Sequence, residues 1–204
     1  MRSVDGSCNT VVAVVSDQGG PDYGRFVEAV RTLQDHARAV AAPDDVITKA
    51  AELLDDVNAL LAPYDADEQR SPSGKRLDLP MRGSVLPVPM TLHRTGEHGV
   101  GGQVRFRRYH LGRGGAAHGG AIGLFFDSIC GATVAMVTGD RRQRTAFLHV
   151  NYRSVVPIER ELDVAARVSG TEGRKIFVAA EIFDGDRLLA DAEALFVRLR
   201  PGQV

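Results

Sequence analysis

The sequence predicts an α+β fold in which one long apolar helix is followed by a run of antiparallel strands, with a helical extension ahead of both. Three observations carry that expectation. Residues 118–139 read HGGAIGLFFDSICGATVAMVTG, apolar for long enough to make a helix of about 30 Å. Beyond them the apolar period drops to two, and Asp184 and Gly185 stand between two such runs as a hairpin turn. Ahead of them, residues 21–62 carry two amphipathic stripes at helical spacing.

Taken in order, residues 1–20 hold a short apolar run that suits a short strand or a frayed tail and falls short of a signal-peptide core. Pro21 and Asp22 open the first helix, with Phe26, Val27, Val30, Leu33, Ala37 and Val40 on one face. Pro43, Asp44 and Asp45 restart the pattern, and Val46, Ile47, Leu53, Leu54, Val57 and Leu61 continue it up to Pro63. Residues 1–62 therefore read as a helical N-terminal extension. Residues 63–92 mix Pro63, Pro72, Pro80, Pro87 and Pro89 with serine, glycine and charges, the composition of a linker. The main domain then covers 93–204. Its first strand is expected over 103–109, after the glycine-rich 99–102, and residues 111–117 form a glycine-rich approach to the long helix. That approach lacks the arrangement of a phosphate-binding loop. Gly139 and the basic residues after it stop the helix. Strands follow over 145–155, 161–169, 174–183 and 188–199. The layout is a curved sheet packed round one central helix.

The totals narrow the function. A chain of 204 residues holds one sizeable domain, alone or with an extension. A net charge of −1 gives no field that would gather nucleic acid or an anionic membrane. Two cysteines, Cys8 and Cys130, build neither a disulfide framework nor a zinc pattern, so no metal site is expected, and a reducing, cytoplasmic setting is the default.

Between residues 119 and 138 the only charged side chain is Asp127. Burying a carboxylate unpaired is costly, and aspartate is a mediocre helix former, so local propensity does not put it there. On a helical wheel Gly120 lies two turns before it, Gly123 one turn before and Gly131 one turn after, which strips the helix of side chains on the Asp127 side. A slot beside a carboxylate results. The amides at His118, Gly119 and Gly120 open the helix and favour developing negative charge, such as a carbonyl oxygen turning into an oxyanion. Other readings share the pattern: glycines that only permit close packing, or a core carboxylate tied to a hydroxyl or an arginine. A membrane span has the right length, but a central aspartate costs about 2.5–3.5 kcal/mol there.

Several motifs then fall in order. His118-Gly119-Gly120-Ala121 is followed by Asp127 nine positions after the histidine, and by Gly131. Thr145 and Ala146 precede Val150-Asn151-Tyr152-Arg153 and Pro157, and then come Glu172-Gly173-Arg174-Lys175 and Ala192-Glu193-Ala194-Leu195-Phe196. Over residues 100–201 this set resembles the hotdog-fold acyl-CoA thioesterases of the phenylacetate-degradation and thioesterase-superfamily type; the helical extension lies outside the resemblance. The resemblance implies a homodimer, or a dimer of dimers, with active sites at the subunit interface. It makes Asp127 the nucleophile or general base, with the helix start as oxyanion donor, here assigned to the Gly120 N–H. At the position of Thr145 some members use a threonine from the facing subunit, and His118 would orient the thioester or fix the loop. Gly119, Gly123, Gly131 and Asn151 join the substrate-binding set. Arg153, Arg174 and Lys175 are the candidates for the phosphates of coenzyme A, which enters as part of the substrate; no cofactor is implied.

The chemistry agrees with the residues. A thioester is reactive and its thiolate leaves readily, so one carboxylate and one amide donor suffice. Direct attack by Asp127 and activation of a water both remain open. Other hotdog chemistries lack their marks: no histidine follows Asp127 within residues 128–132, and no His-Phe-Pro-Gly motif occurs. The competing reading is a module that binds acyl-CoA without turning it over. Asp127 speaks against it, because a slot for binding alone would gain from an apolar residue there.

Overall fold

A computed structural model describes residues 18–203. The short strand considered within residues 1–20 lies almost wholly outside the described residues. The elements are α1 (Tyr23–Ala39), α2 (Asp44–Leu61), β1 (Met90–Arg94), β2 (Gly99–Arg105), α3 (Gly119–Thr138), β3 (Gln143–Tyr152), β4 (Glu161–Glu172), β5 (Lys175–Asp184) and β6 (Arg187–Arg198). The six strands form one antiparallel sheet in the order β1-β2-β4-β5-β6-β3. This is the hotdog arrangement, a sheet curved about α3, with the helical N-terminal region ahead of it.

Period-two patterning builds the inner face of the sheet. Leu162, Val164 and Ala166 of β4, Ile176, Val178, Ala180 and Ile182 of β5, and Ala192, Ala194 and Phe196 of β6 are all buried. Register lines up Val100, Ala166, Ala180 and Ala192 across β2, β4, β5 and β6. Short side chains in that row let a helix come close, and Ile122, Phe125, Phe126, Ile129 and Val134 of α3 join the same core. α3 is the one helix among the described residues long and apolar enough to cross a membrane, and that stripe of it is spent on the sheet.

The sheet starts earlier than the sequence suggests. β1 begins at Met90, inside the segment read as linker, and β2 runs through the glycines rather than after them. Glycine is depleted in strands, which pushed the expected start to residue 103. The backbone explains its presence: a Cβ on Gly102 would lie 1.8 Å from the carbonyl oxygen of Thr91, so β1 can pair only against a bare backbone. Residues 108–110, the first two of them expected as strand, form a 3-10 turn instead. Nor is the segment before β1 a loose tether. Val88 is fully buried, and Arg76 pairs with Asp78 at 2.7 Å.

The two N-terminal helices differ. α1 is tied to the domain by polar contacts. Arg107 pairs with Asp35 at 2.6 Å and with Glu28, and the Tyr109 N–H donates to Asp35 at 2.9 Å. The buried Arg31 donates to the carbonyls of Pro80 and Ser84. α2 has no buried residue, and Val46, Leu53, Val57 and Leu60 stay exposed.

Beneath α1, the buried His110 accepts the Arg107 N–H at Nδ1, 2.9 Å away. Burial lowers its pKa below the ordinary 6.5, with Arg107 adding to that shift and Asp35 opposing it. The unfolded chain therefore holds this proton more readily than the folded one. The stability due to His110 is complete above about pH 6.5 and falls away as the pH drops through the lower folded value. Urea midpoints measured from pH 8 to pH 5 should be level at first and then decline, and His110→Asn should remove part of that decline. An unchanged pH profile in the variant would contradict this account.

Candidate active site

The start of α3 is shaped by His118. Its backbone is extended (φ −63°, ψ 135°) and its imidazole Nδ1 accepts the Gly120 N–H at 3.0 Å, a side-chain cap on the helix. Its carbonyl accepts the N–H groups of Ala121 and Ile122, and its own N–H donates to the His110 carbonyl at 2.7 Å. One amide of the first turn is left over: among the described residues the Gly119 N–H has no acceptor, while the Gly119 carbonyl accepts the Tyr152 hydroxyl at 3.0 Å. The free donor is thus at Gly119. The assignment to Gly120 is corrected, because the cap already uses that N–H.

Asp127 lies two turns further on, half-buried. The Thr145 hydroxyl donates to its Oδ1 at 2.7 Å. A bulge aims that hydroxyl: register on β6 passes from Thr145 opposite Phe196 to Phe147 opposite Leu195, leaving Ala146 as the extra residue. Both partners belong to one chain. Asp127 opens onto a cavity of about 550 Å³ whose walls include Gly131, Met136 and Phe196, with Met81 and Arg82 from the segment before β1. The bare flank at Gly131 is real, since a Cβ there would meet only the edge of the Phe196 ring, at 3.5 Å. Around Gly123 a Cβ would meet nothing within 4 Å. Neighbouring groups offer no rival nucleophile. Ser128 donates to the Leu124 carbonyl at 2.8 Å, and burial, with the charge of Asp127 adding to it, pushes the Cys130 thiol up to about 12.

The amide and the carboxylate are not adjacent. Eight helical positions separate Gly119 from Asp127, about 12 Å along the axis. A single ester carbonyl cannot touch both within one chain. The remaining candidates sit elsewhere. Asn151 donates to Asp191 at 2.8 Å and Arg153 pairs with the same carboxylate at 2.5 Å, which holds Asp191 below the usual carboxylate range. Arg174 donates to the Arg198 carbonyl at 2.9 Å, and Lys175 opens β5 at the hairpin. None of these four lines the cavity beside Asp127. Arg82, Arg141 and Arg144 do, and sequence reasoning passed over them. Arg141 and Arg144 had been read only as a helix stop, and Arg82 lay in presumed linker.

The fold is that of a hotdog domain. Residues 114–190 match the family model described as Thioesterase superfamily. The chain is 35% identical over 95 residues to the acyl-coenzyme A thioesterase THEM4 of Xenopus laevis, covering 46% of this chain and 42% of that one. It is 36% identical over 89 residues to THEM4 of Mus musculus, covering 43% and 37%. These matches span roughly two fifths of either relative's length. Among solved structures, the thioesterase superfamily protein RHA08564 superposes with a TM-score of 0.72 at 22% identity, over 90% of this chain and 94% of that one. The conserved protein PA5202 of Pseudomonas aeruginosa superposes with a TM-score of 0.50 at 27% identity, over 55% and 90%.

Gly131 offers a check on the cavity wall. Its Cβ would make ordinary contact with Phe196, and alanine is favoured over glycine inside a helix by up to about 1 kcal/mol. Gly131→Ala should raise the melting temperature by a few degrees; a fall would show that the wall is tighter than described.

Proposed function

We propose that this chain hydrolyses acyl-CoA thioesters to a free acid and coenzyme A. The observation that carries the reading is the 2.7 Å hydrogen bond from Thr145 to Asp127 at the wall of an open cavity. It fixes one carboxylate oxygen and leaves the other free to act. The likeness to the THEM4 acyl-coenzyme A thioesterases supports the substrate class.

In this reading the free oxygen of Asp127 either takes a proton from a water as that water attacks the thioester carbonyl, or attacks the carbonyl itself. Thr145 anchors the carboxylate. The carbonyl oxygen gains negative charge and needs a donor, and the Gly119 N–H is the amide available. Because that amide lies about 12 Å along the helix from the same chain's Asp127, the working site pairs Asp127 of one chain with Gly119 of a second. β3 supports such a pairing: it is an edge strand, with Phe147 and Tyr152 46% and 56% exposed. The thiolate then leaves as coenzyme A. On the direct route the remaining mixed anhydride is hydrolysed by water to the acid and free Asp127, and label found in Asp127 after a single turnover in labelled water identifies that route, since only water attack on the aspartyl carbonyl of the anhydride puts it there.

Steady-state assays with short, long and aryl acyl-CoAs test the reading, following release of free thiol. Asp127→Asn should lower kcat by about 10²-fold or more. Thr145→Val should lower it by about 10-fold, the worth of one hydrogen bond to a charged group. Thermal melts of both variants should stay near the wild type. Absence of turnover would leave the alternative of an acyl-CoA-binding module, and full turnover in Asp127→Asn would overturn the role given to Asp127.

A further inference from the structure

The cavity beside Asp127 has a second chemical character at its other end. Its walls follow α3 from Asp127 to Met136, about 13 Å along the axis, and then meet Arg141 and Arg144 beyond the helix and Arg82 from the segment before β1. Cationic side chains on a protein surface are commonly paired, and neighbours here show it. Arg142 pairs with Asp140 at 3.3 Å, and Arg107 pairs with Asp35 and Glu28. The three at the cavity are different. Among the described residues the guanidinium groups of Arg82 and Arg141 have no hydrogen bond or ion pair, and that of Arg144 donates only to the adjacent Gln143 carbonyl at 3.2 Å. The cavity's carboxylates are Asp127, held by Thr145, and Glu68. Burial, with the like charge of Arg141 adding to it, lowers the pKa of the Arg82 guanidinium below its ordinary value.

Arg82 is also held in place at a cost. Met81 and Arg82 both lie in the left-handed region, at φ 51° and 55°, and Gly83 follows at φ 76°. A non-glycine residue is strained there, because its Cβ crowds the following carbonyl oxygen. Such strain persists only where the surroundings fix it. Here α1 does so from outside. Arg31 donates to the carbonyls of Pro80 and Ser84 on either side of the turn, and the Tyr23 hydroxyl donates to the Gly83 carbonyl at 3.1 Å. A helix absent from the core of the domain thus fixes a strained turn whose arginine reaches the cavity beside Asp127.

We propose that Arg82, Arg141 and Arg144 form the binding site for the phosphate groups of the acyl-CoA, with the pantetheine arm lying along α3 so that the thioester reaches Asp127. Guanidinium forks suit phosphate oxygens, and the diphosphate and 3′-phosphate supply enough negative charge to engage three of them. The site rests on the thioesterase reading. It adds a role for the N-terminal segment, since α1 and the strained turn together present a phosphate-binding arginine that lies outside residues 114–190, the span matched by the family.

The test compares one acyl group carried on coenzyme A and on pantetheine, which lacks the phosphates. In Arg82→Gln the ratio of kcat/KM for the two substrates should shift against acyl-CoA by about 10-fold, the worth of a charged hydrogen bond. Arg82→Lys should recover part of it. Arg141→Gln, on a separate element whose folding does not depend on the turn, should shift the ratio the same way. Added salt should raise KM for acyl-CoA more in the wild type than in Arg82→Gln. A wild-type enzyme that turns over both substrates, with an unchanged ratio in both glutamine variants, would overturn the proposal and leave the thioesterase reading standing. A ratio that is unchanged while dicarboxylic acyl groups are selectively lost would overturn it in favour of an acid-reading acyl end. If the wild type hydrolyses no thioester, the thioesterase reading fails separately, and calorimetric titration with coenzyme A and with pantetheine decides the site. Coenzyme A bound about 10-fold more weakly by Arg82→Gln than by wild type, with pantetheine unaffected, supports it; equal binding of coenzyme A overturns it.

Discussion

α3 is apolar on more sides than one sheet can cover, and the organisation of the molecule follows from that constraint. The sheet takes Ile122, Phe125, Phe126, Ile129 and Val134 into a core floored by alanines. The flank that remains carries Gly123, Asp127 and Gly131, so it offers almost no side chain except one carboxylate. A carboxylate on such a flank must be satisfied, and Thr145 reaches it because the bulge at Ala146 turns β3 at that point. Packing, the position of the acid and the aim of its hydroxyl partner are therefore one arrangement.

The N-terminal segment bears on this through its first helix. The ion pairs of Arg107 with α1 and the carbonyl contacts of Arg31 hold the turn at Pro80–Gly83 against the domain. That places Met81 and Arg82 in the wall of the Asp127 cavity. α2, with an apolar stripe and no buried residue, takes no part in it.

Much of this was legible in the sequence, and the failures have physical causes. α1, α2 and α3 announce themselves by periodicity and by Pro43, Pro63 and Gly139, and Asp184 and Gly185 mark their hairpin. Asp127 stood out because a charge in an apolar run needs a reason. β1 and the true start of β2 were hidden, because glycines that allow close strand approach look like a loop when read by propensity. That His118 caps the Gly120 N–H and leaves the Gly119 N–H free is visible only in the geometry. Spacing along a chain gives no distance between side chains on separate elements, so the convergence of Arg82 with Arg141 and Arg144 was invisible. Arg153 illustrates the reverse: its place in a motif suggested substrate, and the fold gives it to Asp191.

The central claim is that one catalytic site draws its acid and its amide from two chains, and complementation tests it most directly. Gly119→Pro deletes the amide at the first helical position, where proline is tolerated, and the extended backbone of His118 already suits a following proline. Each of Gly119→Pro and Asp127→Asn should be nearly inactive alone. Mixed by co-expression and isolated as the hetero-oligomer, the pair should regain thioesterase activity, because one of its sites unites an intact Asp127 with an intact Gly119. A hetero-oligomer as inactive as its parents would contradict the account.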